Sequence, residues 1–552
     1  MMKAVSKKKA HFKLKLMAYC VGIPLALSVA GVVAKDLASD LGVSGEVKEP
    51  ALEHIEQSEL NDLVATDPFA AFILAFDVGD ELFEIQANEL DGVGANVGNG
   101  ERFAKYPRMD LDEYGQWAAH MPARTTGPNG QACNECHLRP FNDGAGSIAG
   151  NNVRDPKRTG DISQFITRQP PHVFGIGAKQ KLAEEMTAKL HAIRDAAIAK
   201  AQNTGYPVTK TLATKGVYFG KFTAMPYGAH DFSMIEGIDE DLTIKPLQWK
   251  GVDLNIRGFV RDAENNELGL QATELVGMDE DADYDGVANE LGVGDITALA
   301  IYQAGQPRPV TKTELASLGL MELSSQEKKS IKKGKKAFKQ AKCDTCHKPT
   351  MYLYDPIFSE PSQQAAYRDD MFPSGDNPAD HGLTPEKAIK FDLTKDMPDN
   401  VMELANGDVV NLGNFKKHID GRTIVNIFSD LKRHDLGLDV AEDVDEKGTG
   451  ESVFITQPLW GAGSTPPYMH DGRSPTIADA IMHHGGDAAW SRTAFTNFPT
   501  SKKKALVDYV NNNILLLAEE EEEGEEGGAE ESSHTGPFSD VTSRFEDRFK
   551  LR

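Results

Sequence analysis

The stretch Cys343-Asp-Thr-Cys346-His347, here called the second motif, has a counterpart at Cys133-Asn-Glu-Cys136-His137, the first motif. In each motif two residues separate two thiols, and a histidine follows the second thiol directly. This spacing suits the attachment of one haem, because the thiols add to the two vinyl groups of the porphyrin and the adjacent imidazole then faces the iron. The two motifs therefore predict two covalently bound haem c groups.

Two other uses of paired cysteines compete with this interpretation. An exported chain favours disulfides, and two C-x-x-C pairs can together hold one zinc ion. Neither use explains why a histidine follows each pair, so haem attachment is the stronger interpretation. The fifth cysteine, Cys20, lies in an apolar run, and Tyr19 rather than a small residue precedes it. We therefore do not expect lipidation there.

Length and composition set further limits. The chain has 552 residues, with 59 Lys or Arg against 84 Asp or Glu and a net charge of -25. This length suggests roughly two to four domains, and 40% hydrophobic residues are enough for packed cores. The acidic balance argues against a nucleic-acid partner, whose phosphates attract basic surfaces. The lack of a fixed-period repeat excludes a solenoid.

The N-terminus has the layout of an export signal. Six lysines fall within the first 15 residues, an apolar stretch follows at residues 16–33, and small residues at 32–34 fit cleavage before Lys35. The apolar stretch is long for a signal and slightly short for a membrane span. We therefore predict that residues 1–34 direct the chain to the periplasm and are removed. An uncleaved signal would instead leave the protein anchored to the membrane.

The rest of the chain divides into four predicted segments. Residues 35–115 form an acidic lead-in, residues 116–310 the first haem domain and residues 311–517 the second. Residues 518–552 include five consecutive glutamates, which predicts a disordered acidic tail. The predicted fold class is mainly α, with two cytochrome c-like haem domains, long loops and insertions.

Helical spacing of apolar residues supports this fold class. Helices are predicted at residues 178–202, 251–274, 324–341 and 502–517, the second of them ending in a loop. The segment at 324–341 is strongly basic and runs directly into Cys343, which is how a cytochrome c fold delivers its haem motif. A long insertion rich in Asp, Gly and Pro follows at residues 350–450.

The group that fills the second axial position of each iron decides between electron transfer and catalysis. Residues 458–488, PLWGAGSTPPYMHDGRSPTIADAIMHHGGDA, contain three histidines, His470, His483 and His484. If residues 476–484 are helical, His484 shares a face with Ile477 and Ile481 and points into the core, where it could bind iron. A histidine with only a structural hydrogen bond is the alternative, and His434 is a competing candidate for the second haem.

These motifs together resemble the bacterial di-haem cytochrome c peroxidase superfamily, which includes the methylamine-utilisation di-haem enzyme. The similarity is closest to the di-haem oxidoreductases, sometimes labelled thiol oxidoreductases, and covers about residues 120–515. It is carried by FSDLKRHDLG (428–437), QPLWGAG (457–463), HDGR (470–473), HHGGDA (483–488), IKPLQWKG (244–251) and NNELG (265–269). It is specific around residues 428–488 and weaker in the first haem domain.

The resemblance implies a division of roles between the two haems. The haem on the first motif would be the peroxidatic one, and the haem on the second motif would donate electrons to it. In the superfamily the second ligand of the donating haem lies eight residues after the threonine of a T-[LI]-x-x-A helix. Counting from Thr476 gives His484. A bis-histidine haem would have a lower potential than one with a methionine ligand.

The resemblance also assigns individual residues. Trp249 matches a tryptophan that lies between the haems in the family, and Glu267 matches its catalytic glutamate, with one residue missing from the segment. Backbone carbonyls at Thr465 and Pro467 match those that help to hold a calcium ion between the haem domains. The family's glutamine ahead of the catalytic glutamate is absent from residues 255–259.

The second ligand of the first haem is left open by the sequence. Peroxidases that need reductive activation carry a distal histidine before the segment comparable to residues 167–171. No such histidine precedes the segment here, and His172 follows it. The first haem is therefore either open or capped by His172, and we expect it to be open. At an open site a carboxylate such as Glu267 can move a proton between the two peroxide oxygens.

Residues 281–292 resemble half of an EF-hand loop. Asp281, Asp283 and Asp285 occupy positions 1, 3 and 5, and a glycine occupies position 6, which suits the preference of calcium for oxygen ligands. The glutamate expected at position 12 is replaced by Gly292. The pattern predicts a calcium site, with a solvated acidic loop as the alternative.

Three functions fit these observations. The first, which we favour, is a peroxidase-like oxidoreductase that takes electrons from a small cytochrome or cupredoxin and reduces hydrogen peroxide. The second is an electron-transfer cytochrome with both irons six-coordinate. The third is a di-haem oxidase of a protein or a small thiol. An open first haem would separate the first and third functions from the second.

Overall fold

A computed structural model describes residues 49–96, 102–103, 129–146, 152–154, 164–368 and 375–518. The predicted export signal and the acidic segment that starts at Glu519 lie outside these residues, as does part of the predicted lead-in. Contacts place Ala51–Ala518 in one compact unit. The division of this unit into two haem domains at residue 311 stays a prediction.

Eleven α-helices lie in the described part of the chain, and none of them is long and apolar enough to cross a membrane. They are α1 (Gln57–Thr66), α2 (Pro68–Glu84), α3 (Ile176–Thr204), α4 (Ile256–Ala263), α5 (Thr273–Val276), α6 (Val293–Ala304), α7 (Lys312–Ser317), α8 (Ser325–Gln340), α9 (Ile477–Met482), α10 (Ala489–Thr496) and α11 (Thr500–Val510). A π-helical turn, Glu264–Leu268, continues α4.

Short strands pair as two-stranded antiparallel sheets. The pairs are β1 (Ala95–Asn96) with β2 (Arg102–Phe103), β3 (Asn152–Arg154) with β4 (Phe165–Thr167), β5 (Val208–Thr214) with β6 (Val217–Ala224), β7 (Val310–Thr311) with β16 (Asn513–Ile514), β8 (Met351–Leu353) with β13 (Thr423–Val425), β9 (Ile357–Glu360) with β10 (Ile389–Asp392), β11 (Val401–Glu403) with β12 (Val409–Asn411), and β14 (Arg433–Asp435) with β15 (Val453–Ile455).

The secondary structure is mixed, with 37% helix and 14% strand, so the predicted mainly α class is right only in part. The strands β8–β14 of the insertion at residues 350–450 contribute to this difference, but the longest pair, β5 with β6, lies outside it. In the insertion β11 and β12 form a local hairpin, whereas β8 pairs with β13 and β9 with β10 across longer stretches of chain. The predicted helices at residues 178–202 and 324–341 are present, whereas the one predicted at 251–274 is divided into α4, a π-helical turn and α5.

Helix α2 lies in the core and supports the first motif. Asp67 caps it by accepting a backbone N–H of the first turn at 3.2 Å. Gly79 allows α6 to approach closely, since a Cβ there would lie 2.2 Å from the carbonyl oxygen of Ala298. Near the end of α2, the ring of Phe83 packs 5.9 Å from the ring of His137. Part of the predicted lead-in is therefore core of the haem-binding region.

Helix α3 confirms the prediction made for residues 178–202. It extends two residues further at each end and is bounded by glycines in the left-handed region, Gly175 at φ 72° and Gly205 at φ 70°. Glycine adopts this conformation without the steric cost that a Cβ brings, so these two positions fix the ends of the helix.

Helix α8 confirms the prediction for residues 324–341, and it packs against α11. A capping box begins α8, in which Ser324 and Glu327 bond each other's backbone N–H groups. The close packing is possible because Gly334 has no Cβ; one there would lie 1.9 Å from the Ala505 carbonyl oxygen. At the other end α8 stops at Gln340, shortly before Cys343.

Helix α11 is shorter than the predicted helix at residues 502–517. It ends at Val510, and Ile514 instead pairs with Val310 in a two-stranded sheet. The side chain of Asn512 accepts the backbone N–H of Thr313 at 3.1 Å. This long-range bond and the pairing of Ile514 with Val310 hold the residues after Val510 outside the helix.

Candidate functional site

One cavity of about 440 Å³ is lined by both C-x-x-C-H motifs. Each motif forms a short 3-10 turn, at Cys133–Glu135 and at Cys343–Thr345. The backbone N–H of the following histidine closes each turn, from His137 to Cys133 at 3.0 Å and from His347 to Cys343 at 2.9 Å. Both thiols and the imidazole of each motif therefore border the same space.

Hydrogen bonding and burial keep the two motif histidines neutral, which is the form of imidazole that binds a metal. Nδ1 of His137 lies 3.2 Å from the carbonyl oxygen of Gly144, and Nδ1 of His347 lies 3.2 Å from that of Phe428. When Nδ1 donates to a carbonyl, Nε2 keeps a lone pair for a metal. Burial lowers the pKa of both rings to about 4, so both are neutral at pH 7. The donor set fits haem iron.

Helix α9 brings His484 opposite His347. Thr476 caps the helix by accepting the N–H of Asp479 at 3.2 Å, and His484 follows its last turn. Nδ1 of His484 lies 2.7 Å from the carbonyl oxygen of Ala480, and burial lowers the pKa of this ring. Both features again leave a neutral Nε2 for a metal.

The distance between these two rings fits one iron between them. The ring centroids of His347 and His484 are 6.3 Å apart. Two bonds of about 2.0–2.1 Å from imidazole nitrogen to metal, plus about 1.1 Å from each nitrogen to its ring centre, also give about 6.3 Å. The predicted ligand pair of the second haem is therefore geometrically compatible with a shared iron.

His434, the competing candidate, is engaged elsewhere. Its Nε2 lies 2.8 Å from Asp430 and its Nδ1 lies 3.4 Å from Asp487. Burial lowers the pKa of His434, but interactions with Asp430 and with the sulfur of Cys346 raise it more, and the pKa is about 10. A protonated imidazole has no lone pair for iron, so this geometry favours His484.

His172 lies beside the first motif, and its Nδ1 is buried without a hydrogen-bond partner among the described residues, so this nitrogen keeps a lone pair for a metal. Its Nε2 donates to the carbonyl oxygen of Trp460 at 3.0 Å. The carbonyl of the preceding residue, Pro171, is itself a hydrogen-bond acceptor for His137. His172 therefore directly follows, in the sequence, the residue whose carbonyl group supports His137. Among the described residues, no histidine ring faces His137 at the spacing seen for His347 and His484.

Glu267 lies in the wall of the cavity, at the π-helical turn. The turn is closed by a bond from the N–H of Gly269 to the carbonyl of Glu264 at 2.9 Å, and such turns often occur at functional sites. The carboxylate of Glu267 accepts from Nδ2 of Asn129 at 2.5 Å. Burial raises the pKa of Glu267 to about 7, although the Asn129 bond lowers it. The carboxyl group is thus poised to exchange a proton near neutral pH.

Glu264 is a second buried carboxyl group that the sequence did not single out. It accepts from Sγ of Cys133 at 3.3 Å, and burial raises its pKa to about 7. It also borders the cavity. Its spacing of three residues from Glu267 places both carboxyl groups on one side of the turn. That spacing was the signal available in the sequence, where 84 acidic residues obscured it.

Trp249 and His470 form an aromatic wall of the same cavity. Nε1 of Trp249 donates to the carbonyl oxygen of Gln169 at 2.7 Å. Its ring meets the ring of His470 edge-on at 6.4 Å, and His470 stacks on Phe454 at 4.4 Å. Burial lowers the pKa of His470 to about 4, which makes it neutral. Trp249 borders the cavity that both motifs share, and its place between the haems stays a prediction.

Buried cations near the cavity were not identified from the sequence. The guanidinium of Arg168 donates to Glu442 and to Glu446, each at 3.1 Å. Lys179 donates to Gln457 at 3.3 Å, and burial lowers its pKa to about 7. Each haem brings two carboxylate side arms, and cations such as these are suitable partners for them.

The two predicted calcium sites lie in different surroundings. Thr465 and Pro467 line the cavity. Asp281, Asp283 and Asp285 lie elsewhere, with one ligand atom of each within 4.8 Å of the others. Glu290 lies near this cluster, and burial together with Asp283 raises its pKa to about 9. Ionised carboxyl groups this close together repel one another. A bound cation would offset that repulsion and favour their ionised form.

The shared cavity, the two cysteine pairs and the neutral histidines provide the groups that two haems would need at one site. Residues 402–513 match the model of the family described as "di-haem oxidoreductase, putative peroxidase". This match confirms the resemblance noted for residues 428–488. The match includes His484 but neither C-x-x-C-H motif. No curated protein matches the chain.

Proposed function

We propose that this protein is a periplasmic di-haem c-type oxidoreductase that takes up electrons at the second motif and reduces hydrogen peroxide at the first. Cysteine thioethers of each motif would hold one porphyrin, with His137 as ligand of the first iron and His347 with His484 as ligands of the second. Bound haem supplies an iron position for peroxide and the one-electron chemistry. The single observation that carries the proposal is the buried carboxyl group of Glu267 in the wall at the first motif.

The chemistry places one demand on the protein. Reduction of one peroxide molecule to two waters consumes two electrons and two protons, and a proton must pass from one oxygen to the other as the O–O bond breaks. Glu267 can accept and return that proton, because burial holds its pKa at about 7. Asn129 orients the carboxylate at 2.5 Å. We propose that the position opposite His137 is open for substrate, since no described histidine ring faces His137 at the spacing of His347 and His484.

Electron transfer between the motifs is supported by Trp249. Its half-buried ring is fixed by the bond to Gln169 and borders the cavity that both motifs share. A rigid aromatic ring between two redox centres offers a short path for electrons. We further propose that a small redox protein supplies the electrons, and that Asp281, Asp283 and Asp285 bind calcium, since their ligand atoms cluster within 4.8 Å.

The test compares E267Q with E264Q in the haem-loaded protein. Both carboxyl groups line the cavity and have a pKa of about 7, so E264Q tests whether the effect is specific to Glu267. We expect E267Q to lower peroxide turnover with a small artificial reductant by about 10²–10⁴-fold, with unchanged haem content. The optical and EPR spectra of the wild type should contain a high-spin ferric signal that peroxide alters.

Two outcomes would contradict the proposal. Turnover by E267Q within about threefold of the wild type would remove the proton-transfer role. Two low-spin haems in every redox state, unmoved by peroxide, would leave an electron-transfer cytochrome instead.

A further inference from the structure

The surface of α8 carries an unusual concentration of positive charge. Residues 324–342 include eight lysines and one acidic residue, Glu327, in a chain whose net charge is -25. All eight side chains are exposed: Lys328, Lys329, Lys332, Lys333, Lys335, Lys336, Lys339 and Lys342. We call this set the lysine face.

The lysine face has no counter-charge in the described part of the chain. None of its lysines forms an ion pair with a described residue, whereas lysines elsewhere are paired, such as Lys432 with Glu236 at 3.1 Å and Lys504 with Asp508 at 2.7 Å. Like charges three and four residues apart destabilise a helix. Only three residues of α8 are buried, Gly334, Ala337 and Phe338, so little packing offsets the repulsion between its lysines. The exposed surface of α8 is therefore suited to an external negative partner.

The lysine face borders the second motif. Lys342 directly precedes Cys343, and its Nζ lies 4.6 Å from the centre of the Trp490 ring. Trp490 is 54% exposed and Met482 is 45% exposed. An exposed apolar centre beside a charged rim is the usual composition of a protein interface, and a cation stacked on tryptophan adds to it.

Together these observations identify a kind of partner. Building on the proposed function, in which electrons enter at the second motif, we propose that the electron donor is a small redox protein with an acidic surface, which docks on the lysine face around Trp490. Opposite charges would steer the partner to this edge of the molecule and orient it with its redox centre towards Cys343 and Cys346. Docking there would bring the two redox centres close without a buried interface of large area.

The experiment measures binding between oxidised proteins, so it does not depend on turnover. Plastocyanin with an acidic surface patch is the probe, and mitochondrial cytochrome c, which is basic, is the comparison. Each is passed over the immobilised holoprotein at about 0.01 M salt, where charges act over about 30 Å. The test variant is K332Q/K335Q/K336Q. The matched control, K200Q/K210Q/K221Q, removes three exposed lysines elsewhere and gives the same net charge.

We expect the test variant to bind plastocyanin about tenfold more weakly than the wild type, and the control variant to bind it within about twofold. Salt at about 0.15 M should weaken wild-type binding. Electron transfer from the reduced holoprotein to oxidised plastocyanin should also be slower in the test variant than in the wild type, and nearly unchanged in the control variant.

Three results would overturn the proposal. Equal weakening in both variants would mean non-specific attraction, and tighter binding of cytochrome c would mean a basic partner. Binding that appears only when residues 519–552 are removed would assign the lysine face to that acidic segment. Peroxide turnover of the wild type with a small reductant reports on the proposed function separately, so failure of either idea can be distinguished from failure of the other.

Discussion

Replacing Glu267 with glutamine should make the protein more stable at alkaline pH while it removes activity. Glutamine keeps the shape of the side chain and an oxygen for the Asn129 amide, but it cannot ionise. Burial raises the pKa of Glu267 from 4.5 to about 7. At about 1.4 kcal/mol for each tenfold change in the ionisation constant, this corresponds to about 3 kcal/mol. The side chain of Glu267 is partly exposed at the cavity wall, so solvent screening makes about 3 kcal/mol an upper figure.

The direction of the change in stability follows from the pKa of Glu267, which is higher in the folded protein than in the unfolded one. Below pH 4.5 the carboxyl group is protonated in both the folded and the unfolded protein, and ionisation costs nothing. As pH rises from 4.5 through 7, the unfolded chain loses its proton first, and the folded state loses about 3 kcal/mol of stability relative to it. E267Q avoids this loss. We therefore expect similar stability of the two proteins near pH 4.5 and a gain of up to about 3 kcal/mol for E267Q at pH 8.

The assay is guanidinium unfolding of the haem-loaded proteins, followed by far-UV circular dichroism at both pH values. E240Q, at an exposed position, is the control and should follow the wild type at each pH. A purely structural role for Glu267 predicts the opposite result, because loss of a useful ionised contact would destabilise E267Q. An E267Q protein that is less stable than the wild type at pH 8 would therefore refute the argument from burial.

Three further predictions concern the other predicted residues. H484M should raise the potential of the second haem by on the order of 0.1 V in spectroelectrochemical titration, since a thioether favours ferrous iron more than imidazole does, and an unchanged potential would mean that His484 is not a ligand. W249F removes the bond to Gln169 and should slow electron transfer between the haems in stopped-flow reoxidation, without changing either haem spectrum. Calcium should raise the unfolding temperature of the wild type by about 2–4 °C, EGTA should reverse this, and D283N should not respond.

Much of the site could be predicted because its signals are local. A haem motif is fixed by five consecutive residues, and the start of α8 by the pair Ser324 and Glu327. His484 could be placed because a short capped helix and a count from Thr476 are enough. In each case the residues that matter lie within one or two turns of each other, so the sequence contains the whole argument.

The missed features depend on segments that meet only in the folded chain. The raised pKa of Glu264 arises from burial, and its three-residue spacing from Glu267 does not by itself indicate that burial. The early end of α11 depends on Thr313, which the apolar spacing through Leu517 could not reveal. One missed feature could have been predicted from the sequence. Asn406-Gly407 lies in the turn between β11 and β12, and Asn-Gly is a strong hairpin signal that the overall composition of the insertion does not reveal.

The family match and the site geometry support different parts of the same conclusion. The matched residues 402–513 provide His484 and His470, which serve the second motif and the aromatic wall. Glu267 and Trp249, which the peroxidase proposal needs, lie outside the match and enter the cavity from α4 and the loop before it. A chain that kept only the matched part would hold a ligand for one iron but no proton donor for peroxide. The decisive evidence for catalysis, as opposed to electron transfer alone, must therefore come from Glu267 and the first motif.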